Sequence, residues 1–571
     1  MKLKLFLAGA LLYLSCGSGG MQRISVDEYI DKMKAGWIGQ MVGVGWGGPT
    51  EFQWQGEIIP ADRVPRWSPE MVNQYGQDDI YVEMTFLRTL ELYGFDVDIR
   101  QAGIDFANSR YMLWHANKAG RDNLRSGIAP PFSGHPQFNA HADDIDYQIE
   151  ADYSGLIAPG LPQAAVDLGE IFGRLMNYGD GLYGGQFVAG MYAAAFFESD
   201  PEKIVRAGLQ CIPSRSLYYQ TITDVLTWYK ENPNDWKHTW SLIEAKYQDN
   251  PDNRRFSCSG PADKFNIDAK INGAYIVMGL LYGKGDPDST IVISMRCGQD
   301  SDCNPSNAAG VLFTTLGFSR LPIRYISALD TMPKFSFTDY SFGSLMRVCE
   351  QLARQAVVRY GGKIEQDSDG KEWFVIPKKP VKPSPLEQCW SPAPVSGEVK
   401  FTAEEMAKIH FRARRETDFI RVWQVSGPFT KSGMDATALF DVAFAPETGA
   451  GSWKTLPEGT FNPAEIDLAK LFGTTHCAVY LRTFIISPDE RDAVLELGSD
   501  DGIKVWLNGQ LVHAVNVQRG HTAGEDKIPV HLKKGKNQVL LKVTQGVGGW
   551  AVSAVLADSN GNVMSDLAFQ L

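Results

Sequence analysis

Two short acid-rich segments of this 571-residue chain contain the strongest candidates for catalytic or metal-binding residues. The first, Gln77-Asp78-Asp79-Ile80, comes directly before a helical pattern that begins near Tyr81. One aspartate at a helix start serves as a cap, but a second adjacent acid is repelled unless a cation or solvent offsets its charge. The segment therefore indicates either a helix cap or part of a cation site.

The second segment is Gly298-Gln299-Asp300-Ser301-Asp302-Cys303-Asn304. Asp300 and Asp302 are two positions apart in a loop and can point both carboxylates at one centre, while Gly298 permits a tight turn. Oxygen ligands of this kind suit hard cations such as Mg²⁺, Mn²⁺ or Ca²⁺. Each segment alone is too short to establish a metal site, so the interpretation depends on the other motifs of the chain.

Two further polar stretches are candidates for substrate binding. Residues 135–152 concentrate histidine, asparagine and acids, which are costly to bury without a role. The stretch is either a solvated loop and helix start or a recognition wall in which His141 or Asp152 faces the ligand. The glycine-flanked segment from Asn177 to Gly181, which contains Asp180, is either a second wall or a turn between helices.

A glycine-rich start completes a recognisable order of motifs. Gly36-Trp-Ile-Gly39-Gln40-Met-Val-Gly43 leads to Gly48-Pro49-Thr50-Glu51-Phe52, then to the Asp78-Asp79 pair, and much later to Gly-x-Asp-x-Asp and a small-residue helix. In this order and spacing the motifs resemble the ADP-ribosylglycohydrolase family, of the dinitrogenase-reductase-activating type. The resemblance covers roughly residues 25 to 350.

The resemblance implies an all-helical domain with two Mg²⁺ or Mn²⁺ ions between the two aspartate motifs. The residues that match the metal ligands are Asp78, Asp79, Asp300 and Asp302, and the implied catalytic residues are Glu51, Asp79 and Asp300. Gln77 stands where the family has Thr or Ser, and Cys303 stands where the family commonly has Thr. Both are expected at the substrate site, and both departures bear on the second ion. Ca²⁺ is an alternative to Mg²⁺ or Mn²⁺.

The implied reaction is hydrolysis of a glycosidic bond. Two ions can orient vicinal hydroxyls and position a water, and carboxylates near the reacting carbon can stabilise an oxocarbenium-like transition state. A hydroxyl-rich furanoside satisfies this chemistry as well as ADP-ribose does. Proton transfer is expected from Glu51 or from another acid near the metals.

Residues from about 25 to 360 show apolar residues at helical spacing, with no strict alternation that would demand a sheet. The pattern predicts a multidomain chain: an all-α domain over 21–375, a stiff linker over 376–398, and an all-β sandwich over 399–571. The linker holds six prolines from Pro377 to Pro394. Asn508-Gly509, between the apolar runs 503–507 and 510–515, predicts a type I′ hairpin.

The segment from Leu497 to Gly509 resembles the galactose-binding-like, jelly-roll sandwiches attached to many bacterial glycoside hydrolases. Many of these modules bind no sugar and brace the catalytic domain, and others bind carbohydrate. The resemblance leaves both roles open. Either role is typical of glycan-degrading enzymes.

The N-terminus predicts export. Residues 1–20 combine two lysines, a short apolar stretch and Leu14-Ser15-Cys16, which resembles a bacterial lipoprotein signal. A lipid on Cys16 would anchor the protein in the periplasm, at the outer membrane or at the cell surface, and would be its one membrane contact. The alternative is an ordinary cleaved signal with an incidental cysteine. Seven other cysteines leave at least one free thiol, and Cys297 and Cys303 could be site residues.

These features together predict a metal-dependent hydrolase of glycosidic bonds whose substrate is an extracytoplasmic glycan or glycoside. The net charge of −12, with no long basic run, excludes nucleic acid as an expected partner. One alternative is a true ADP-ribosyl hydrolase. The other, which the departure at Gln77 keeps open, is a non-catalytic surface lipoprotein that binds glycans.

Overall fold

The computed structural model describes residues 20–411, 414–462, 465–559 and 561–571. The predicted signal segment and Cys16 therefore lie outside the described residues, apart from residue 20. The described chain forms two compact units. The helical unit comprises residues 20–102 and 134–395, and the β unit comprises 103–133 and the described part of 396–571.

The helices up to the proline-rich segment are α1 (Val26–Gly47), α2 (Asp78–Tyr93), α3 (Ile99–Ala107), α4 (His115–Arg125), α5 (Asp146–Ile149), α6 (Asp152–Leu156), α7 (Pro162–Phe172), α8 (Asp180–Ala195), α9 (Pro201–Leu209), α10 (Leu217–Glu231), α11 (Trp236–Ile243), α12 (Ala269–Gly283), α13 (Pro287–Arg296), α14 (Cys303–Leu316) and α15 (Phe342–Arg359). α8, α12 and α14, and α1 from residue 35 onward, are buried over most of their length, because apolar and small residues occupy most positions on every face. They form the centre of the helical unit. The predicted helical character of this part of the chain is confirmed.

The helical unit also contains a small antiparallel sheet that the apolar pattern did not predict. Its strands are β1 (Met21–Ser25), β2 (Lys363–Gln366) and β3 (Glu372–Pro377), in the order β1-β3-β2. Pairing of Met21 with Pro377 brings the start of the unit beside the start of the proline-rich segment. The strands are short, and β1 pairs with a strand about 350 residues away, so local periodicity carries no sign of that pairing.

Part of the proline-rich segment packs on the helical unit. Gln186 Nε2 donates to Ser384 Oγ over 2.8 Å, Arg174 pairs with Glu387 at 3.0 Å, and Cys389 Sγ donates to Tyr178 O over 3.2 Å. The helical unit accordingly extends to residue 395. The predicted linker of 376–398 is thus held by hydrogen bonds over much of its length.

In the β unit the strands are β4 (Gln424–Phe429), β5 (Lys454–Thr455), β6 (Phe461–Asn462), β7 (Glu465–Asp467), β8 (Cys477–Ser487), β9 (Arg491–Ser499), β10 (Ile503–Leu507), β11 (Gln510–Val515), β12 (Asp526–Leu532), β13 (Gly535–Gln545), β14 (Ala551–Ala557) and β15 (Ala568–Gln570). Short helices α16 (Ala403–Ala407), α17 (Ala436–Leu439) and α18 (Leu468–Phe472) lie between strands in sequence. One antiparallel sheet has the order β11-β10-β13-β8-β4-β5, with β15 on β8, and the other has the order β12-β9-β14-β7-β6. Apolar residues of both sheets form one core, which confirms the predicted all-β domain.

The Asn508-Gly509 hairpin is confirmed. β10 and β11 pair on either side of it, and both turn residues have positive φ, 51° and 83°. Residues 103–133 belong to the β unit because Ala129 N donates to Val399 O and Phe401 N donates to Gly127 O. In the described part of the chain, none of the helices is long and apolar enough to span a bilayer.

Candidate metal centre

Two helix starts supply the acid-rich segments of the candidate site. α2 begins at Asp78, so Asp78 and Asp79 occupy its first turn, and α14 begins at Cys303, directly after Asp302. The unpaired N–H groups and dipole of a helix start favour negative charge nearby. Gln77 precedes α2 but its side chain does not cap the helix, and it lies beside the backbone of Gly48.

A constrained turn presents Asp300 and Asp302. Gly298 has a φ of 85°, and a Cβ there would lie 2.6 Å from Trp54 O, so both the backbone angle and the close approach require glycine. Gln299, also at positive φ, is held on both sides: its N–H donates to Trp54 O over 2.8 Å, and its side-chain Nε2 donates to Lys264 O over 2.8 Å. The turn is therefore fixed before the two aspartates begin.

Close packing of α1 on α14 brings the motifs together. Gly39, Gly43 and Gly47 lie on one face of α1, and a Cβ at any of them would lie less than 3.0 Å from the backbone of residues 301–310. The contact continues at Thr50, whose Oγ1 lies 2.8 Å from Ser301 Oγ. The glycine-rich motif thus sets the distance at which α14 and its aspartates approach the rest of the site.

The carboxylates form two overlapping groups that share Asp302. Donor atoms of Glu51, Asp300 and Asp302 lie within 4.8 Å of one another, as do those of Asp79, Asp302 and Cys303. The Cys303 thiol donates to Asp79 Oδ2 over 3.3 Å. One oxygen each of Asp79, Asp300 and Asp302 is buried and has no hydrogen-bond partner within the described part of the chain. Glu51 lies at the exposed edge.

Electrostatics in this group are unfavourable without a cation. Burial, followed by the charge of Asp302, raises the pKa of Asp79 and of Asp300 well above the usual range. The same causes raise the pKa of Asp78 to about 6, and burial with the charges of Asp302 and Asp78 raises the pKa of Glu51 to about 8. Unpartnered carboxylate oxygens in this density fit hard divalent cations such as Mg²⁺, Mn²⁺ or Ca²⁺.

Three of the residues predicted to bind substrate lie in or beside a second acidic cluster. Its carboxylates are Asp143, Asp144 and Asp268, whose donor atoms lie within 4.8 Å of one another. His141 Nδ1 lies 2.7 Å from Asp144 Oδ2. Asp180 accepts a hydrogen bond from Tyr218 N, and burial, together with the charge of Asp268, raises its pKa.

The side chain of Asn177 lies beside the second cluster and hydrogen-bonds to the main chain. Its side-chain Nδ2 donates to Ala142 O and Asp144 O, and its Oδ1 accepts from Tyr147 N. Its amide is thus fully engaged with the main chain. Among the described residues, no close group of ligand atoms combines this cluster with Asp79, Asp300 and Asp302.

Lys270, which the sequence motifs did not single out, neutralises part of the second cluster. Its Nζ lies 2.6 Å from Asp268 and 3.5 Å from Asp143, and all three side chains are almost fully buried. Burial lowers the pKa of Lys270, but the surrounding aspartates outweigh it and the pKa is raised. The spacing Asp268-x-Lys270 at the start of α12 was the available signal.

Asp152, the remaining predicted substrate residue, lies in a buried acid pair behind the first cluster. Asn307 Nδ2 donates to its Oδ2 over 2.8 Å, and burial raises its pKa to about 7. Its neighbour Glu83 accepts from Tyr153 N over 2.7 Å, and burial with the charge of Asp152 raises the pKa of Glu83 well above the usual range. The sequence motifs do not identify Glu83 as a site residue, although it follows Asp79 by four residues on the same helix face.

All seven cysteines of the described chain are free thiols. Cys303 is the one that contacts the first cluster, whereas Cys297 is buried with its thiol directed at Ile293 O. Cys297 is therefore a core residue. No disulfide contributes to the described part of either unit.

Comparison with solved structures gives only low overall similarity. A chain named "ADP-ribosylglycohydrolase-related protein complex" is 13% identical with a TM-score of 0.36, and the match covers 58% of this chain and 99% of that one. A beta-glucosidase from Kluyveromyces marxianus in complex with glucose is 13% identical with a TM-score of 0.16, over 24% of this chain and 15% of that one. The PA14 domain of the MpAFP antifreeze protein is 14% identical with a TM-score of 0.15, over 27% of this chain and 73% of that one. No curated protein is a significant match.

The family model described as ADP-ribosylglycohydrolase matches residues 25–361, which is more than half of the chain. This range includes the glycine-rich α1, Glu51, the Asp78-Asp79 pair and the Asp300-x-Asp302 turn. Membership supports a hydrolase, while the dinitrogenase-reductase-activating type stays a prediction. The chain belongs to the ADP-ribosylglycohydrolase family.

Proposed function

We propose that the protein is a divalent-metal-dependent hydrolase of glycosidic bonds that acts on glycans or glycosides outside the cytoplasm. The observation that supports this most is the convergence of Asp79, Asp300 and Asp302 at two helix starts, each with a buried oxygen that lacks a partner. A membrane contact would come only from a lipid on Cys16. Nucleic acid is not expected as a partner.

The ligands in this proposal are Asp78, Asp79, Asp300 and Asp302, which would hold two Mg²⁺ or Mn²⁺ ions. When bound, the ions would orient vicinal sugar hydroxyls and lower the pKa of a bound water. The carboxylates stabilise positive charge that develops at the reacting carbon. Glu51 takes or delivers the proton, because it is the most exposed acid of the group and its pKa is raised to about 8.

The substrate class rests on features outside the metal centre. The predicted lipoprotein signal would place the protein away from cytosolic ADP-ribosylated proteins, and the β unit resembles sandwiches found beside glycoside hydrolases. The second candidate substrate is an ADP-ribose conjugate, which the family match favours. The substrate-binding residues in this proposal are His141, Asp152, Asn177, Asp180, Gln77 and Cys303.

A substrate panel with metal control tests this function. The full exported chain would be incubated with furanosides, pyranosides, oligosaccharides and ADP-ribose conjugates, each with Mg²⁺, with Mn²⁺ and with a chelator. Asp300→Asn keeps the shape of the site but removes one ligand charge. Asp62→Asn, an exposed aspartate in the same unit, is the matched control.

We expect turnover of at least one glycoside that requires metal, is lost in Asp300→Asn and is kept in Asp62→Asn. Turnover of ADP-ribose conjugates alone would replace the glycan substrate by the second candidate. Turnover that persists in chelator and in Asp300→Asn would overturn the metal mechanism. Glycan binding by a protein that hydrolyses nothing in the panel would favour a non-catalytic surface lipoprotein.

A further inference from the structure

A cavity of about 340 Å³ lies within the β unit, and none of its lining residues belongs to the two acidic clusters of the helical unit. Its walls come from residues 112–125, which include α4, and from residues 414–523 of the sandwich. The size falls in the range of small-molecule sites, of about 300–1,000 Å³. Its lining includes Met112, Arg121, Arg125, Arg414, Phe419 and His521.

Arg125 is the most unusual residue of this cavity. It is only 7% exposed, and its hydrogen bonds go to main-chain carbonyls: Nε donates to Ala107 O over 2.8 Å and Nη2 donates to Ser109 O over 2.7 Å. Burial and the neighbouring charge of Arg121 lower its pKa to about 9, despite the opposing charge of Asp122. Within the described part of the chain, Nη1 has no hydrogen bond and remains to serve a ligand.

Other charges of the cavity are already paired. Two nitrogens of Arg414 donate to Glu496 Oε2 over 2.9 and 2.7 Å, and Lys118 bonds to Asp122 over 2.8 Å. His521 Nδ1 lies 2.9 Å from Glu465.

Arg121 is bonded as well. Its Nη1 donates to Tyr111 O and Ser109 Oγ, and its charge is felt by Glu525, which pairs with Arg519 at 3.2 Å. Arg125 pairs with no carboxylate among the described residues, and its guanidinium lies 5.1 Å from the centre of the Phe411 ring. A buried cation in this state favours an anionic partner.

The remaining walls suit a sugar ring more than a bare ion. Phe419, Leu113 and Ala523 give the cavity apolar surface, and Asp122 and Glu465 can accept hydrogen bonds from hydroxyl groups. A ligand that carries hydroxyls, an apolar ring face and an oxyanion would use all three kinds of surface. We propose that this cavity binds an acidic saccharide, with its carboxylate or sulfate group against Arg125 and Arg121.

This proposal does not depend on the metal centre, so it is tested by binding alone. The probes are a glucuronate-containing disaccharide, a sulfated disaccharide, a neutral disaccharide and sodium sulfate, each titrated into the full chain by calorimetry. The variants are Arg125→Gln, which removes the charge, and Ala523→Trp, which fills the cavity and leaves both arginines in place. Lys454→Gln, an exposed lysine on β5, is the matched charge control.

We expect one or both acidic disaccharides to bind and the neutral one to bind at least about tenfold more weakly, the difference set by charge-assisted hydrogen bonds. Ala523→Trp should abolish binding and Arg125→Gln should weaken it at least about tenfold, with Lys454→Gln unchanged. If Arg125→Gln unfolds, Ala523→Trp still decides the site. Equal binding of neutral and acidic disaccharides, binding of sodium sulfate alone, or no binding of either acidic probe would overturn the proposal.

Discussion

Asp79 and Cys303 are separated by 224 positions in the chain, and the Cys303 thiol donates to Asp79 Oδ2 over 3.3 Å. The contact joins the first turn of α2 to the first residue of α14. It therefore brings the two acid-rich segments of the sequence into one group. That group explains why both segments begin helices: each helix start adds favourable electrostatics for carboxylates that would otherwise repel one another.

Stability of the metal-free protein should fall as pH rises. The pKa of Asp78 is raised to about 6 and that of Glu51 to about 8 in the folded chain, so the folded state holds protons that the unfolded state loses near pH 4. Their contribution to stability is thus present at low pH and is lost between about pH 4 and pH 8. The unfolding temperature measured in chelator across this range tests the sign.

Asp300→Asn sharpens the same test. Because it removes one of the repelling charges, it should raise the unfolding temperature at pH 8 in chelator and flatten the pH dependence. Asp62→Asn, which is exposed, should follow the wild type. A wild-type unfolding temperature that rises from pH 4 to pH 8, or an Asp300→Asn profile that matches it, would contradict this account of the site's electrostatics.

Gly43→Ala should separate α14 from α1. A Cβ at position 43 would collide with the backbone of Pro305, which cannot move without shifting the helix that follows Asp302. We expect a loss of about 1–3 kcal/mol in the free energy of unfolding. Weaker binding of divalent metal should accompany it, and both are measured by urea unfolding and by metal titration.

The control for this change is Gly343→Ala in the first turn of α15, where the nearest atom to an added Cβ is 3.8 Å away. Alanine there should be neutral or stabilising by up to about 1 kcal/mol. If Gly43→Ala behaved like Gly343→Ala, close packing of α1 on α14 would not position the aspartates.

The motifs and the hairpin could be predicted because each depends on residues close in sequence. Asn508-Gly509 marks its own turn, and Asp300 and Asp302 are two positions apart. The full role of Lys270 could not be predicted, since the Asp268-x-Lys270 spacing indicates one partner only and the second partner, Asp143, is 127 positions away. The same reason hid the β1–β3 pairing of Met21 with Pro377.

The sequence position of a polar residue also does not tell whether its side chain binds a ligand or hydrogen-bonds to the main chain. Asn177 looked like a ligand contact because glycines surround it, but the structure shows its amide bonded to three main-chain groups. Its role in substrate binding stays a prediction, as do those of His141, Asp152 and Asp180. Asp79, Asp300 and Asp302 differ, because the structure brings them together and each has a buried oxygen without a partner among the described residues. Asp78 belongs to neither close group of ligand atoms, so its role as a ligand stays a prediction.

Lys270→Met should be among the most destabilising substitutions in the helical unit. It leaves the buried carboxylates of Asp268 and Asp143 without their cation, and breaking a buried pair costs about 3–5 kcal/mol. Lys264→Met removes an exposed pair with Glu57 and should cost about 0–1 kcal/mol. Urea unfolding compares the two, and equal losses would show that the second cluster does not need Lys270.

Metal titration of the purified, chelator-treated chain by calorimetry tests the central claim most directly. The account predicts that the wild type and Asp62→Asn bind about two Mg²⁺ or Mn²⁺ ions per chain. It predicts that Asp300→Asn binds them at least about tenfold more weakly. Absence of divalent-metal binding by the wild type, or unchanged affinity in Asp300→Asn, would contradict a metal centre at the starts of α2 and α14.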